Sequence, residues 1–314
     1  MSIIEVSHLT KTYGSLQAVK DFSLTADSGE ILALVGPDGA GKTSIFRATC
    51  GLISYDSGEI KIAGYNVLKD FEKIKPLLGY MPQTFSLYPD LSVKENLYFY
   101  AGLFGLNRRQ FNEKEKLLYE FSGLGPFHKR RAGALSGGMK QKLALSCALI
   151  HDPKVLVLDE PTTGVDPLSR MQFWSILRNL RDGGSALVVS TPYMDEVALS
   201  DRAIFIYKGS KLVEGRPEEL KQKFVGKVYR AEVDLSSERM EQLKKVREIM
   251  SRRFGSAVHI YTPENRSIED YYDDLLPIGI EPNLISPVPP ELEDTFIQFM
   301  EKYEKWDMRS KSTN

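Results

Sequence analysis

The sequence predicts an α/β protein with a doubly wound parallel core, and three observations support this class. Short apolar runs at residues 30–36, 155–159 and 185–191 are typical of buried parallel strands. Helical patterns follow the first two runs, at residues 44–52 and 167–182. Because parallel strands need long crossover connections, strands that alternate with helices indicate a parallel sheet with helices on both faces.

Regions with other patterns flank this core. Residues 3–33 contain strands and turns, and residues 58–67 continue them. Between about residues 83 and 133 the pattern is helical, and Ser92 three residues before Glu95 has the capping-box spacing of a helix start. We therefore expect a strand-rich region and a helix-rich region beside the parallel sheet.

The segment after residue 224 predicts a small α+β appendage. We expect a strand at 228–235, a helix at 236–254 and a second strand at 256–263. A short helix at 267–279, an extended piece at 280–290 and a final helix at 291–306 are expected to follow. The final helix places apolar side chains on one face at the spacing i, i+3, i+4, i+7, namely Phe296, Phe299, Met300 and Tyr303.

The glycine-rich segment GPDGAGKT at residues 36–43 fits the pattern G-x-x-x-x-G-K-[ST]. Its glycines allow several backbone N–H groups to point at one anion, and the following helix adds its dipole. Lys42 is expected to reach the β- and γ-phosphates of a nucleotide, and Thr43 to offer its hydroxyl to Mg²⁺. The alternative is a glycine-rich turn that binds nothing, and the flanking strand and helix count against it. The expected nucleotide-binding residues here are Gly36, Pro37, Asp38, Gly39, Ala40, Gly41, Lys42, Thr43 and Ser44.

Two adjacent acids end the apolar run VLVLDE at residues 155–160. Since neighbouring side chains of a strand point to opposite sides, Asp159 and Glu160 are expected to do different work. Asp159 fits a water-mediated Mg²⁺ ligand, and Glu160 fits the group that polarises the attacking water in phosphoryl transfer. An acidic pair is a weak signal alone, and it becomes strong beside the glycine loop.

The segment LSGGMKQ at residues 135–141 predicts a second anion site. Ser136 is a helix-capping residue, and Gly137 and Gly138 leave the N–H groups of the helix start uncovered. An ordinary serine-capped helix is the alternative. A domain with one bound nucleotide and two anion sites raises the question of what the second site holds.

With these three motifs the chain resembles the ATP-binding subunit of an ABC transporter, with Walker A at 36–43, the signature at 135–141 and Walker B at 155–159. The resemblance covers roughly residues 3–220. It implies a P-loop NTPase core, a flanking antiparallel β-subdomain and a helical subdomain at about 84–150. The cofactors it implies are ATP and Mg²⁺.

The resemblance also implies that two such domains pair head to tail, so that each ATP lies between one Walker A loop and the other subunit's signature. Ser136 and Gly138 would then serve the partner's γ-phosphate. Tyr13 matches the aromatic that stacks on adenine, and Gln83 matches the Q-loop glutamine that senses Mg²⁺ and the attacking water. Asp166 matches the D-loop aspartate at the dimer interface. The catalytic residues implied are Glu160, Gln83 and Lys42, and the metal-binding residues are Thr43, Gln83 and Asp159.

One position departs from the family pattern. After the strand at 185–191 the family places a histidine that contacts the γ-phosphate, and this chain has Pro192. Proline has no side-chain donor and no backbone N–H. We therefore predict slow hydrolysis at this chain's own Walker A site, unless a water or Tyr193 fills the role. None of the chain's four histidines (His8, His128, His151, His259) is expected to substitute, and His151 is expected to be a solvated loop residue.

The resemblance divides the chain into an ATP-binding domain at 1–222, an α+β extension at 226–305 and a disordered tail at 306–314. The segment PPELEDTFIQFM at 289–300 resembles the ending of drug- and antibiotic-export ATPases of the ABC-2 class. A purely structural cap or dimerisation element is the alternative for this extension.

Composition agrees with a subunit that meets the membrane only through partners. The formal net charge is −1, so no polybasic field favours nucleic acid. No apolar run approaches the ~18 residues that span a bilayer, and the N-terminus does not resemble a signal peptide. Cys50 and Cys147 lie on apolar helix patterns and are expected to be small buried residues rather than metal ligands or a disulfide.

Three functions are consistent with these observations. The first is the energy-coupling ATPase of an export-type transporter, peripheral to the cytoplasmic face of the inner or plasma membrane and bound to separate permease subunits. The second is a regulatory ATP-binding subunit that pairs with a competent second ATPase. The third, a soluble ABC-type protein acting on ribosomes or DNA, is disfavoured because the chain has one nucleotide domain and no long coiled-coil insertion. A homodimer and a heterodimer both fit.

The aromatic-rich segment 85–104 matches the region that receives the permease's coupling helix, and simple packing of the helical subdomain is the alternative.

Overall fold

The computed structural model describes residues 2–312, which form two compact units that divide between Pro217 and Glu218. The predicted boundary, between residues 222 and 226, lies a few residues later. Each unit has its own hydrophobic core.

The strands of the first unit are β1 (Ser2–Tyr13), β2 (Leu16–Asp27), β3 (Ile31–Val35), β4 (Ser57–Ile62), β5 (Tyr65–Asn66), β6 (Leu78–Met81), β7 (Val155–Asp159), β8 (Ala186–Thr191), β9 (Arg202–Tyr207) and β10 (Ser210–Gly215). Its helices are α1 (Lys42–Thr49), α2 (Phe71–Ile74), α3 (Val93–Leu103), α4 (Arg108–Ser122), α5 (Gly137–Leu149), α6 (Pro167–Asp182) and α7 (Met194–Val197).

The central sheet has the strand order β10-β9-β3-β8-β7-β6. Every pairing in it is parallel except that of β10 with β9. Strands β3, β7 and β8 are buried along their whole length, as expected for strands covered on both faces. The predicted parallel core is confirmed, and it brings the carboxyl ends of β3 and β7 to one edge, where ligands of such sheets bind.

A second sheet in this unit is antiparallel, with the order β2-β1-β4-β5. Its alternating burial places one face on the core cluster that includes Val6, Phe22 and Ile60. The strands expected at 3–33 and 58–67 form this sheet, apart from β3 itself.

The helix-rich region begins with α3, whose start is fixed by Ser92. The Ser92 hydroxyl accepts from the Glu95 N–H, and the Glu95 carboxylate accepts from the Ser92 N–H, so the predicted capping box is confirmed. Helix α5 begins directly after Ser136, as the sequence predicts. Its buried residues, such as Leu143, share one core with Leu156 of β7 and tie the signature segment to the central sheet.

The second unit contains an antiparallel sheet with the order β12-β13-β11-β14. The strands are β11 (Lys227–Ala231), β12 (Met250–Phe254), β13 (Ala257–Thr262) and β14 (Ile285–Val288), and the helices are α8 (Pro217–Gln222, which begins at the boundary), α9 (Ser237–Leu243), α10 (Tyr272–Leu275) and α11 (Leu292–Ser312). The predicted α+β composition of this segment is therefore confirmed.

Two sequence predictions for this unit are wrong. The helix expected at 236–254 ends at Leu243, and residues 250–254 instead form β12, because Gly255 (φ 60°) and Ser256 close a two-residue hairpin onto β13. The disordered tail expected at 306–314 is helical as far as Ser312, and its last two residues lie outside the described part. Within residues 2–312, no helix combines the length and the apolarity that a membrane crossing requires.

Candidate functional site

The glycine loop between β3 and α1 has a backbone that larger residues could not adopt. Gly41 has a φ of 106°, and a Cβ there would lie 2.4 Å from the Ala18 carbonyl oxygen. A Cβ on Gly36 would lie 2.2 Å from the Ile206 carbonyl oxygen. The loop therefore passes close to other backbone at both ends, which fixes its shape.

Lys42 is buried at the start of α1 and folds back over the loop. Its Nζ donates to the carbonyl oxygens of Gly36, at 2.8 Å, and Pro37, at 3.1 Å. The same Nζ lies 3.0 Å from Glu160 Oε1, and both side chains are about 5% exposed. A buried ammonium thus neutralises a buried carboxylate directly beside the glycine loop.

Glu160 receives donors at both carboxylate oxygens. Besides Lys42 at Oε1, the Gln83 amide donates to Oε2 at 2.8 Å and the Thr163 hydroxyl donates to Oε2 at 3.3 Å. Its φ is 48°, in the left-handed region. Glu160 lies beyond the end of β7, so this turn directs its side chain toward the loop, rather than the strand alternation on which the sequence argument relied.

Asp159 is the last residue of β7 and is fully buried. Ser190 Oγ donates to its Oδ1 at 2.7 Å, while Oδ2 has no hydrogen-bond partner within residues 2–312. Burial raises the pKa of the Asp159 carboxyl, and the nearby hydroxyls of Ser190 and Thr43 partly oppose that rise. One carboxylate oxygen of Asp159 is thus held by the protein, and the other is buried without a hydrogen-bond partner among the described residues.

Lys42 and Glu160 border a cavity of about 380 Å³, and Asp159 is buried next to Glu160 in the chain without lining that cavity. Its lining includes Gln83, Glu160 and most of the predicted nucleotide-binding residues, namely Tyr13, Asp38, Gly39, Ala40, Gly41, Lys42, Thr43 and Ser44. Tyr13 is 45% exposed at its rim. Leu16 and Ala18 also line the cavity. These two residues were not predicted from the sequence, because the β1–β2 hairpin and not the glycine-rich motif places them at the cavity.

Two predicted residues of the loop, Gly36 and Pro37, accept from Lys42 but are not among the lining residues of this cavity in residues 2–312, and the other predicted residues lie elsewhere. Ser136, Gly137, Gly138 and Asp166 are absent from the lining of this cavity as residues 2–312 define it. Ser136 caps α5 and Asp166 caps α6, and a Cβ on Gly138 would meet Ser169 of α6 at 2.7 Å. The signature segment therefore packs beside the start of α6, and one copy of the chain does not bring it to its own glycine loop.

A Mg²⁺ ion fits the donor set beside this loop. The unpartnered Asp159 Oδ2, the Thr43 hydroxyl and the Gln83 side-chain oxygen are hard donors of the kind that Mg²⁺ prefers, and these residues would hold the ion together with phosphate oxygens. When bound, the ion would neutralise charge on the phosphates. Among the described residues no group of three or more His, Cys, Asp or Glu side chains is arranged to hold a metal ion without a nucleotide.

The segment around Pro192 is fixed by a buried glutamate that sequence reasoning missed. Glu196 accepts from the Thr162 hydroxyl at 2.7 Å and from the Thr191 hydroxyl at 2.6 Å. Arg170 of α6 lies over the Tyr193 ring at 4.6 Å, which occupies that ring's face. The sequence signal for this cluster is weak: Thr191 ends an apolar strand, Thr162 lies in the turn after β7, and Glu196 lies in the short helix α7.

An apolar groove of about 190 Å³ lies between the ends of α1, α3 and α5. Its lining includes Leu52, Phe71, Tyr100, Phe104 and His151. His151 was expected to be solvated, and this is wrong. Its ring is half-buried, stacks on Phe104 at 3.6 Å and donates from Nε2 to the Leu78 carbonyl at 3.1 Å, and burial lowers its pKa.

The aromatic segment 85–104 divides between packing and exposure. Phe85, Tyr100 and Phe104 pack against the core, whereas Tyr88, Tyr98 and Phe99 are 47%, 56% and 38% exposed. The predicted buried cysteines are confirmed: Cys50 and Cys147 are both buried and unbridged, and burial raises the pKa of each thiol.

The parallel sheet, the glycine loop at the end of β3 and the acids at the end of β7 define a nucleotide-binding protein of the P-loop class. The family model described as "ABC transporter" matches residues 19–163. The chain is 40% identical over 220 residues to the probable multidrug ABC transporter ATP-binding protein YbhF of Escherichia coli, which covers 70% of this chain but only 38% of that protein. It is 38% identical over 227 residues to the Nod factor export ATP-binding protein I of Rhizobium etli, covering 72% of each. The linearmycin resistance ATP-binding protein LnrL of Bacillus subtilis is 34% identical over 219 residues, covering 69% of this chain and 70% of that one.

Solved structures agree with these relatives. The structure of an ATP-binding subunit of an ABC transporter is 26% identical, with a TM-score of 0.65, and covers 71% of this chain and 93% of its own. A dimeric bacterial ABC transporter cassette is 26% identical, with a TM-score of 0.63, and covers 68% of this chain and 98% of its own. The chain belongs to the ABC transporter ATP-binding proteins.

Proposed function

We propose that this chain hydrolyses ATP to drive an export-type transporter whose membrane-spanning permeases are separate chains. The arrangement of Lys42, Glu160 and Gln83 around one cavity is the observation that carries this proposal. The chain matches only 38% of the length of the multidrug relative, so that relative's name does not establish the activity of this chain. The proposed activity is supported by the geometry of the site.

The site favours the triphosphate of ATP because the glycine loop and Lys42 both offer hydrogen-bond donors to phosphate oxygens. An arriving γ-phosphate competes with Glu160 for the Lys42 ammonium, which is 3.0 Å from that carboxylate. Once released, Glu160 can accept a hydrogen bond from a water beside the γ-phosphorus. Water then adds to phosphorus, the bond to the β-phosphate oxygen breaks, and ADP and phosphate leave.

A second copy, or another ABC ATPase, would complete the site. Ser136 and Gly137 are exposed at the start of α5 and lie away from the cavity of their own chain. Their N–H groups suit the γ-phosphate of a nucleotide held by a partner. Asp166 is exposed at the start of α6 beside them, where it would meet the same partner.

The permease would dock at the apolar groove between the ends of α1, α3 and α5. An apolar lining with aromatic edges, extended by the exposed Tyr88 and Phe99, suits a short amphipathic helix. The relatives named for Nod factor export, multidrug transport and linearmycin resistance favour export of a drug-like or hydrophobic cargo.

A second candidate function is a regulatory ATP-binding subunit with slow turnover of its own. Pro192 favours it, because Pro192 offers no hydrogen-bond donor to the γ-phosphate and the Tyr193 ring beside it lies under Arg170. In this case a sister ATPase with a histidine at the corresponding position would perform most of the hydrolysis.

The test is Glu160→Gln in the chain assembled with its cognate permeases in lipid vesicles, with Glu113→Gln as the matched control. Glu113 is exposed and paired with Arg109, outside the site. We expect Glu160→Gln to lower ATP turnover by roughly 10²–10⁴-fold while ATP binding persists. It should also trap two nucleotide-binding domains together in the presence of ATP.

Transport separates the two candidates. Loss of transport in the Glu160→Gln assembly supports the energy-coupling role, and retained transport with retained ATP binding supports the regulatory role. If Mg²⁺ and ATP neither bind nor bring domains together in the wild-type assembly, both are wrong.

A further inference from the structure

Ser190 occupies a position that links the two acids of the site. It lies in β8, two residues before Pro192, and is fully buried. Its hydroxyl donates to Asp159 Oδ1 at 2.7 Å and accepts from the Glu160 backbone N–H at 2.8 Å. The Ser190 hydroxyl oxygen therefore contacts both Asp159 and Glu160, the two acids proposed to bind the metal ion and to polarise the attacking water.

The contact with Glu160 holds an unfavourable backbone in place. Asp159 and Ser190 form the last pair of the β7–β8 ladder, so the Glu160 N–H has no strand partner beyond it. Glu160 has a φ of 48°, a conformation that costs a non-glycine residue about 1–2 kcal/mol. The Ser190 hydroxyl satisfies this buried N–H at the turn that aims the Glu160 carboxylate at Lys42 and Gln83.

The contact with Asp159 selects which carboxylate oxygen remains available. Because Ser190 occupies Oδ1, the carboxylate plane is fixed, and Oδ2 is the oxygen without a partner in residues 2–312. The Thr43 hydroxyl is close enough to affect the same carboxylate. Oδ2 and Thr43 can therefore converge on one cation.

We propose that Ser190 is a positioning residue for hydrolysis, whose single hydroxyl sets both the metal-facing oxygen of Asp159 and the water-facing carboxylate of Glu160. This inference rests on the proposed function and deepens it. Its importance is greater in this chain because Pro192 supplies no donor of its own to hold the reacting groups in register.

The test compares Ser190→Ala and Ser190→Thr with the wild type, and uses Ser200→Ala as a matched control. Ser200 is a buried serine of the same unit whose hydroxyl donates only to the nearby Val197 carbonyl. Calorimetry measures ATP affinity of each full-length chain with Mg²⁺ and with a chelator. Steady-state assays of the assembled transporter measure turnover and the Mg²⁺ concentration that gives half-maximal rate.

We expect Ser190→Ala to weaken Mg²⁺-dependent ATP binding and to raise the half-maximal Mg²⁺ concentration by about 10–100-fold, as is usual when a partner of a metal ligand is lost. ATP affinity in chelator should stay within about twofold of wild type, since the glycine loop is untouched. Ser190→Thr keeps the hydroxyl and should restore the Mg²⁺ dependence, and Ser200→Ala should match the wild type.

A Ser190→Ala chain that melts at a lower temperature but keeps wild-type Mg²⁺ dependence in both assays would show a purely structural role and overturn the proposal. If Ser190→Ala does not fold, Ser190→Cys replaces it, because a thiol has nearly the same volume but bonds weakly. Should the wild type turn over too slowly to assay, the Mg²⁺-dependent binding decides. A wild type that binds no ATP at all refutes the proposed function instead, so the two failures are distinguishable.

Discussion

Two aspartates of this molecule are equally buried but differently paired. Asp159 in the first unit and Asp294 in the second are both fully buried. Asp294 Oδ1 lies 2.9 Å from His259 Nδ1 and accepts from the Tyr261 hydroxyl at 2.8 Å, and Oδ2 accepts from the Glu291 N–H at 2.7 Å. Asp159 has one of its oxygens paired and the other without a partner in the described chain.

The difference separates a carboxylate satisfied within its own unit from one that lacks a partner for one of its oxygens. A buried carboxylate is tolerated when hydrogen bonds replace those that water would make. Asp294 meets that condition within its own unit, where it joins the first turn of α11 to β13 and His259 stacks on Phe254 at 4.0 Å. Burial and the neighbouring Asp294 carboxylate raise the pKa of the Tyr261 phenol, which therefore stays a donor. Asp159 meets the condition only when something external arrives.

The largest expected effect is on turnover of Asp159→Asn. The asparagine side chain can still accept from the Ser190 hydroxyl, but the substitution removes the negative charge that would hold Mg²⁺. We therefore expect ATP hydrolysis by the assembled transporter to fall by roughly 10²–10³-fold. Steady-state phosphate release measures it. Turnover within threefold of wild type would remove Asp159 from the metal site.

Asp294→Asn should have the opposite profile. Removing the charge from a fully paired buried cluster is expected to lower the free energy of unfolding by about 3 kcal/mol, with ATP affinity unchanged. Thermal melting and ATP calorimetry on the same preparation measure both. Unchanged melting, or a loss of ATP affinity in a folded chain, would contradict the structural assignment.

Pro192→His tests whether the donors already around Glu160 are sufficient. If the missing histidine limits hydrolysis, we expect turnover of the assembled transporter to rise by about three- to tenfold. The double variant Pro192→His with Glu160→Gln is the control and should remain inactive. A rate equal to wild type would show that Lys42, Gln83 and Thr163 already hold the reacting groups well enough.

Ser251→Ala has the smallest expected effect. It tests whether a buried polar atom without a hydrogen-bond partner lowers stability when it carries no charge. Ser251 Oγ is buried without a hydrogen-bond partner among the described residues, as Asp159 Oδ2 is, but it is neutral. Its removal should change the free energy of unfolding by less than about 1 kcal/mol, in the stabilising direction. Chemical denaturation measures this, and a loss above 2 kcal/mol would reveal a contact that the structure lacks.

Local patterns in the sequence predict the parallel core and the glycine loop because they depend on neighbours in the chain. The helix expected at 236–254 failed for the opposite reason. Residues 250–254 are charged enough to suit a helix surface, and only pairing with β13 makes them a strand. The burial of His151, which follows α5, likewise depends on Phe104, which follows α3.

The same limit applies to the site. The Walker residues follow from spacing, whereas Ser190 is one polar residue in an apolar strand until the β7–β8 register places it opposite Asp159. Glu196 and Thr162 were missed in the same way, because their hydrogen bonds join segments 34 residues apart. Motifs predict the groups that would touch a nucleotide, whereas the neighbours that hold those groups in place follow from tertiary contacts.

The most direct test of the claim that the buried Asp159 carboxylate is incompletely paired is the melting temperature of the Asp159→Asn variant, measured without nucleotide or Mg²⁺. Because burial raises the pKa of Asp159 in the folded chain, its charged form destabilises the fold above that raised pKa. The penalty is lost as pH falls from the raised pKa to the ordinary carboxyl pKa. We therefore predict that Asp159→Asn melts higher than wild type at neutral pH and that the gain vanishes in acid. A variant that melts lower than wild type at neutral pH would contradict the account, since Asp159 would then be satisfied within its own fold.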